Sequence, residues 1–351
     1  MIRHAFFSIA LLTAATLLLA FTPADPELDE RNWPSIFDQL SSGAELLEVE
    51  LVADLDDLDE NRNIDEYREA VFSWGNDATH AMPVRVKPRG KFRRKVCDFP
   101  PLKLQFPKKE LRKRKLNKHN DLKLVTHCMD ERTSKATILR EYMAYELYQE
   151  LTEDAFRVQL VKITYRDLDN PKRTLKRFGI LIEDSDEMAE RLGGKLVKRV
   201  NAQPSEVARA QEDLMTVFQA LIGNHDYSFR SNRNIKYVDT GRGGLVPVPY
   251  DFDFSGLVDA PYAVTNPDHH ELLRVTDRKY LGRAQALTDL EQTVDFVCAK
   301  KKALIQRIKA CKAMSAADRA TCIYYLNGFF KAADAEKMAA GEVIRQFDAR
   351  G

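Results

Sequence analysis

One segment constrains the fold of this chain more than any other: Gly223 to Gly256, GNHDYSFRSNRNIKYVDTGRGGLVPVPYDFDFSG. Ile235 to Val238 and Leu245 to Tyr250 are short β-forming runs, and Thr240-Gly-Arg-Gly-Gly244 between them has the composition of a tight turn. The two runs are expected to pair antiparallel, turning near Arg242. That register sets Asn232 to Asn234 opposite Pro249 to Asp251, so two carboxamides meet carboxylates at the open end of one hairpin. If the second strand continues, Asp251 and Asp253 share a face. An all-oxygen donor set of this kind suits Mg²⁺ or Mn²⁺, which keep waters that a phosphate can displace. Asp226, in the polar Asn-His-Asp-Tyr-Ser loop just upstream, is placed to orient or deprotonate a nucleophile. Each aspartate also has a plainer use, Asp251 as a turn or cap residue and Asp226 capping its own loop.

The rest of the 351-residue chain sets the context. Met1 to Ala24 has a short basic start and an apolar run from Ala5 to Phe21, the layout of a secretory signal peptide; an uncleaved N-terminal anchor is the alternative. No later segment is long and apolar enough to span a bilayer, so a secreted or periplasmic protein is expected. Five cysteines suit an oxidising compartment. Cys97 and Cys128 flank the basic part and Cys311 and Cys322 bracket a short helical connection, which suggests those two pairings and leaves Cys298 as a core thiol.

The net charge of +1 conceals segregation: Asp25 to Glu69 holds 16 acidic and 3 basic residues, and Arg85 to Lys123 the reverse. The alternating runs Glu48 to Asp54 and Pro83 to Arg89 are expected to place these charges together on the wet face of one sheet. The basic run lacks interleaved aromatics for base stacking, which argues against nucleic acid as a partner. The run Asp54 to Asp59 lacks the Gly and terminal Glu of a calcium loop and reads as a solvated turn.

Further along, strands are expected at Leu46 to Leu55, Met82 to Arg93, Leu102 to Phe106, Leu122 to Thr126, Phe156 to Tyr165 and Phe178 to Glu183, with a helix at Ala136 to Leu151. A polar stretch, Asp184 to Ser205, then leads to a helix from Glu206 to Ile222 that delivers the chain to Gly223. Leu287 to Phe347 reads as three helices without candidate chemistry.

In four places the chain resembles the spore-coat CotH kinase family: Arg89-Gly90 followed by the Lys-bearing FPPLKLQF, the helix LREYMAYELYQEL, the strand GILIED ending in Glu, and the Asn-x-Asp to DFD region. These motifs span roughly Pro83 to Ala263. Within that family it is similar to exported proteins of unassigned reaction that carry CDFPPLKL, LKLVTHC and VPYDFDFSGLV. The resemblance implies an α+β, two-lobed, kinase-like fold: a β-rich small lobe over 46–184 after an acidic linker at 25–45, and a helical large lobe over 185–351. It implies Lys103 as the phosphate-pairing lysine and Glu141, with Glu146 as a rival, as the glutamate that holds it. Arg89-Gly90 becomes a phosphate-facing turn, and Glu183 a residue facing the base or ribose. Asp251 becomes the metal carboxylate, joined by Asn234 and by Asp253, and Asp226 the catalytic base. The expected ligands are ATP and Mg²⁺ or Mn²⁺, with phosphoryl transfer to a protein or cell-surface acceptor. The chain lacks a GxGxxG loop and a His-Arg-Asp triplet, and Asp253 replaces the glycine of DFG. A catalytically inactive scaffold that binds a protein or anionic glycan is therefore the alternative.

Overall fold

The computed structural model describes residues 32–334, apart from 44, 76–79, 130, 171, 270 and 284–286. The expected signal peptide lies outside the described residues. Seven strands form a closed barrel: β1 (Leu46–Ala53), β2 (Arg68–Trp74), β3 (Ala81–Pro88), β4 (Leu102–Gln105), β5 (Asp121–Val125), β6 (Val158–Asp167) and β7 (Thr174–Ile182). Their order is β1-β2-β3-β4-β5-β7-β6, and β1 closes the ring by pairing parallel to β6 from Leu46↔Leu160 to Ala53↔Asp167. Alternation builds the interior. Val84 and Val86, Leu102 and Leu104, and Leu122 and Leu124 point inward and are buried, while the intervening Arg, Lys and Gln face out. The helix α1 (Ile36–Ser41), capped by Ser35, adds Ile36, Phe37 and Leu40 to that interior.

Four further helices belong to this half: α2 (Leu55–Glu60), α3 (Arg93–Val96), α4 (Lys108–Lys113) and the long α5 (Glu131–Leu151). The second half holds α6 (Ser185–Arg191), α7 (Arg209–Ile222), α8 (Leu287–Ala299), α9 (Lys301–Ala310) and α10 (Ala316–Asp334). Its strands β8 (Lys195–Val197), β9 (Ile235–Asp239) and β10 (Leu245–Pro249) form a three-stranded sheet in the order β10-β9-β8. One apolar core runs from Val125, Ile180 and Ile182 on the outer barrel face through α5 to α7, β10 and the last three helices. The buried face of α5 thus joins the barrel to everything after it.

Several expectations change. β2 went unread because only Ala70, Phe72 and Trp74 turn inward, and Arg, Glu and Ser break up its pattern. The run Asp54 to Asp59 is the capped helix α2, with Leu55 and Leu58 buried, and not a solvated turn. The alternating strands β1 and β3 do share the barrel, but β2 lies between them. Glu48 and Glu50 of β1 pair instead with Lys162 (3.1 Å) and Arg166 (2.5 Å) of the parallel neighbour β6. Cys97 and Cys128 are disulfide-bonded as expected. Cys311 and Cys322 are not bonded; both are buried thiols in the helical core, and burial pushes Cys322 up to about 12. Cys298 packs partly buried against that core.

Candidate functional site

The hairpin forms in the expected register, with Asp239 opposite Leu245 and Ile235 opposite Pro249, so the turn centres on Arg242. The Tyr250 amide continues the ladder to the Asn234 carbonyl at 3.1 Å. The strand then stops. Asp251 takes a left-handed backbone (φ 66°) and its N–H donates to the Tyr145 hydroxyl at 2.8 Å. Phe252 turns into the core against Tyr145 and Phe218, with ring centroids 4.7 and 5.7 Å away. That plug holds Asp251 and Asp253 beside the same cleft, although no continuous strand face joins them. Asn232 and Asn234 are also left-handed, a conformation Asn tolerates better than most residues.

The preceding loop is tied at both ends. Gly223 caps α7 in a left-handed conformation, and a Cβ there would collide with the Tyr325 hydroxyl. The Gly256 and Leu257 amides donate to the carbonyls of Gly223 and Ile222 at 2.9 and 3.0 Å. Buried Asn224 accepts the Asp226 N–H at 3.0 Å. Asn234 Nδ2 donates to the Asp226 carbonyl (2.6 Å) and carboxylate (3.0 Å), and Arg233 lies 3.2 Å from that carboxylate. Burial raises the Asp226 carboxyl above its usual range, with Arg233 opposing.

These elements line a cleft of about 710 Å³, facing Arg89 and Gly90 across it. Arg89, Asp226, Asn234, Asp251 and Asp253 therefore come together as expected. Glu141 lies behind them, fully buried, on the inner face of α5. Its partner is not Lys103 but Arg93 on α3, whose Nη1 is 3.4 Å from Glu141 and whose Nε is 3.8 Å from Asp253. One arginine serves two buried carboxylates. Burial pushes Glu141 up to about 8 against the pull of Arg93, and burial with the charge of Asp251 pushes Asp253 up to about 7. Glu141 Oε1 and Asn232 Oδ1 are buried without a hydrogen-bond partner. Glu146 is committed elsewhere, to Arg307 of α9.

Lys103 and Glu183 do not reach this cleft. Lys103 is ion-paired to Asp121 on the outer barrel face at 2.7 Å. Glu183 is fully buried between Arg157 (2.8 Å) and Arg191 (2.7 Å), where it joins the end of β7 to β6 and α6. The lysine that does approach is Lys123, one strand further on and cross-strand neighbour of Lys103. Its ammonium lies over the rings of Phe156 (4.7 Å) and Tyr250 (5.4 Å) and donates to Ser185 Oγ at 2.7 Å. Lys236 lies over Tyr250 as well, at 5.4 Å. Withdrawal from water, then repulsion by Arg89 and Lys236, pulls Lys123 down to about 7; burial and Arg89 also lower Lys236. Among the described residues, none of Arg89, Lys123 and Lys236 has a carboxylate within ion-pairing distance. The motif LKLVTHC contains Lys123, and its alternation marks the residue as outward-facing; only the tertiary structure shows which lysine meets Tyr250.

The donors suit a hard divalent cation in one manner only. Among the described residues no three His, Cys, Asp or Glu side chains group closely enough to form a metal site by themselves. The oxygens of Asp251, Asn234 and Asp253 instead match a cation held by one or two carboxylates and completed by phosphate and water. Burial first, and the charge of Asp251 second, raise the Asp253 carboxyl, and a cation beside the two would favour its ionised form.

No protein-family model matches the chain, and no curated protein matches it. Among solved structures it is similar to the crystal structure of a Helicobacter pylori proinflammatory kinase, CtkA, with 10% identity and a TM-score of 0.38 over 72% of this chain and 92% of that one. At that level the likeness assigns no residue and no reaction. No helix among the described residues is long and apolar enough to cross a membrane.

Proposed function

We propose that the chain binds a nucleoside triphosphate with a divalent cation and transfers its terminal phosphoryl group to a hydroxyl of a protein or cell-surface acceptor. One observation carries the reading: Arg89 lines a cleft that also holds Asp226, Asp251 and Asp253, and Lys123 and Lys236 lie over the ring of Tyr250 at its wall, all three cations without a carboxylate partner among the described residues. A polyphosphate with its metal ion complements both groups at once. Arg89, Lys123 and Lys236 then pair phosphate oxygens, and Asp251 and Asn234, with Asp253, hold Mg²⁺ or Mn²⁺. Neutralising phosphate oxygens is the chemistry that cation supplies. Asn234 has its amide nitrogen turned to Asp226, which leaves the carbonyl oxygen as its donor to a cation. Asp226 accepts the acceptor's hydroxyl proton as the oxygen attacks phosphorus and the bond to the departing diphosphate breaks. Its raised carboxyl makes it a stronger base than an exposed aspartate. Arg93 and Glu141 position Asp253. The Cys97–Cys128 disulfide fits the oxidising compartment that the expected leader requires.

Thermal unfolding of the protein and of Asp251→Ala, each with and without Mn²⁺ and ATP, tests the reading. Ligand at a hundred times its dissociation constant adds about 2.7 kcal/mol, a rise of a few degrees for a chain of this size. The rise is expected in the unsubstituted protein only. Its absence from both, with both folded, refutes the proposal and leaves the scaffold that binds a protein or anionic glycan.

A further inference from the structure

Asp226 stands at the junction of two cavities. On one side is the cleft just described. On the other is a small pocket of about 70 Å³, walled by Phe254, Val264, Pro267 and Val275 and floored by His225. Asp226, Arg233, Phe254 and Val264 line both. Val264 is 61% exposed at the rim, so the pocket is reachable from outside. His225 is 3% exposed, and its Nε2 is buried without a hydrogen-bond partner. Its backbone carbonyl is fixed by Asn266 Nδ2 at 3.1 Å, which ties the floor of the pocket to its wall. Burial holds the imidazole neutral, down at about 4.

A neutral imidazole nitrogen is a donor in one tautomer and an acceptor in the other, and a hydroxyl satisfies either. Phe254, Val264, Pro267 and Val275 make one side of the pocket apolar, Asp226, Arg233, Thr265 and Asn266 make the rest polar, and the space suits a small side chain. A charged group entering here would lose its hydration and meet Asp226 and Arg233 already paired to each other at 3.2 Å.

We infer that this pocket is an acceptor subsite for a small hydroxyl-bearing side chain, Thr or Ser, next to the hydroxyl presented to Asp226, with its hydroxyl on His225 Nε2 and its carbon atoms against Val264 and Val275. The acceptor is then a polypeptide with neighbouring Ser and Thr residues. This inference rests on the phosphoryl-transfer reading, and it selects one kind of acceptor for that site.

The test uses the full chain with Mn²⁺, labelled ATP and peptides that carry one central Ser, with each flanking position varied in turn. At one flanking position Thr or Ser is expected to exceed Phe, Lys or Asp by about tenfold or more, and Thr to exceed the isosteric Val by about fivefold. Val275→Phe, which fills the pocket from a position outside the lining of the cleft, is expected to cut labelling of the best peptide about tenfold while the Mn²⁺–ATP thermal shift stays. Should that variant not fold, the peptide series on the unsubstituted protein still decides. Labelling indifferent to the neighbours, an active Val275→Phe, or a nucleotide shift with no peptide labelled overturns the subsite and leaves nucleotide binding standing. Absence of the nucleotide shift overturns both.

Discussion

Arg93→Met is the most informative single change. The guanidinium is 7% exposed and faces Glu141 at 0% and Asp253 at 3%. Methionine keeps much of the volume and removes the only cation in contact with those two carboxylates among the described residues. Breaking a buried ion pair from one side costs about 3–5 kcal/mol, because the surviving charge stays in a poor solvent. Here the charge has an escape, which is to bind a proton. Glu141 sits near 8 in the folded chain even with Arg93 present, against an ordinary value of 4.5. A carboxyl raised on folding binds more protons folded than unfolded between those two values, so stability falls as pH rises through that window. Without Arg93 the folded value climbs and the loss extends to higher pH. The variant should therefore stay close to the unsubstituted protein at pH 5 and fall behind by up to about 2 kcal/mol at pH 8, since a group that starts near 8 or near 7 loses only its remaining ionised form. For a domain near 300 residues that is a drop of roughly 3–4 °C in unfolding temperature. Adding Glu141→Gln removes the carboxyl raised furthest and should recover the deficit at pH 8 with little effect at pH 5. Melting curves of the two variants across pH 5–8 measure this. An Arg93→Met protein as stable as the parent at pH 8, or a deficit independent of pH, refutes the account of this cluster.

Lys123→Met should abolish the Mn²⁺–ATP thermal shift while Lys103→Met leaves it; equal loss in both would show that the outer-face lysine also contacts phosphate. Because Lys123 titrates near 7, it is cationic below that pH and neutral above it. Nucleotide affinity should fall as pH rises past about 7, by up to about tenfold per unit, and calorimetric titrations at pH 6 and 8 would reveal a flat profile if the lysine is not involved. The disulfide closes a loop with a sequence separation of 31, so Cys97→Ser should cost about 3–4 kcal/mol in denaturant unfolding. Peptide mapping should find Cys311 and Cys322 both alkylatable in unfolded, unreduced protein. Glu183→Gln should lower stability by roughly 1–3 kcal/mol through Arg157 and Arg191 without changing the nucleotide shift, and a lost shift would return Glu183 to the site.

What the sequence made legible is what local chemistry decides. The hairpin register followed from a Gly-rich turn between two β runs, and it brought Asn234 beside Tyr250 and Asp251 to the cleft. The disulfide at Cys97 was legible as well, and the helix α5 was visible from its apolar spacing. Asp253 was found for a reason that did not hold, since the strand it was meant to extend ends at Pro249. Barrel closure was not legible. It depends on β1 meeting β6 across more than a hundred residues, and on β2, whose outward positions dilute its pattern. Arg93 was hidden because a run of basic residues reads as solvated surface. One member of that run turns inward only because α3 is pinned by the disulfide and the Arg93 side chain caps the Thr126 carbonyl at 3.2 Å.

The choice between Lys103 and Lys123 shows why a motif names a strand more reliably than a side chain. The barrel register sets Lys87, Lys103 and Lys123 side by side on three neighbouring strands, all facing outward. By local pattern the three are equivalent. Their surroundings differ with each step around the barrel. Lys87 meets Asp65 at 2.7 Å and Lys103 meets Asp121 at 2.7 Å, each compensated and open to water. Lys123 alone passes under the second sheet, where Tyr250 and Phe156 displace water and a serine hydroxyl takes the place of a carboxylate. A cation that is desolvated and lacks a counter-ion is costly to keep. Its cost is offset either by losing the proton, which is why Lys123 is pulled down to about 7, or by an anion supplied from outside, and Lys123 is the one member of the row placed to take one.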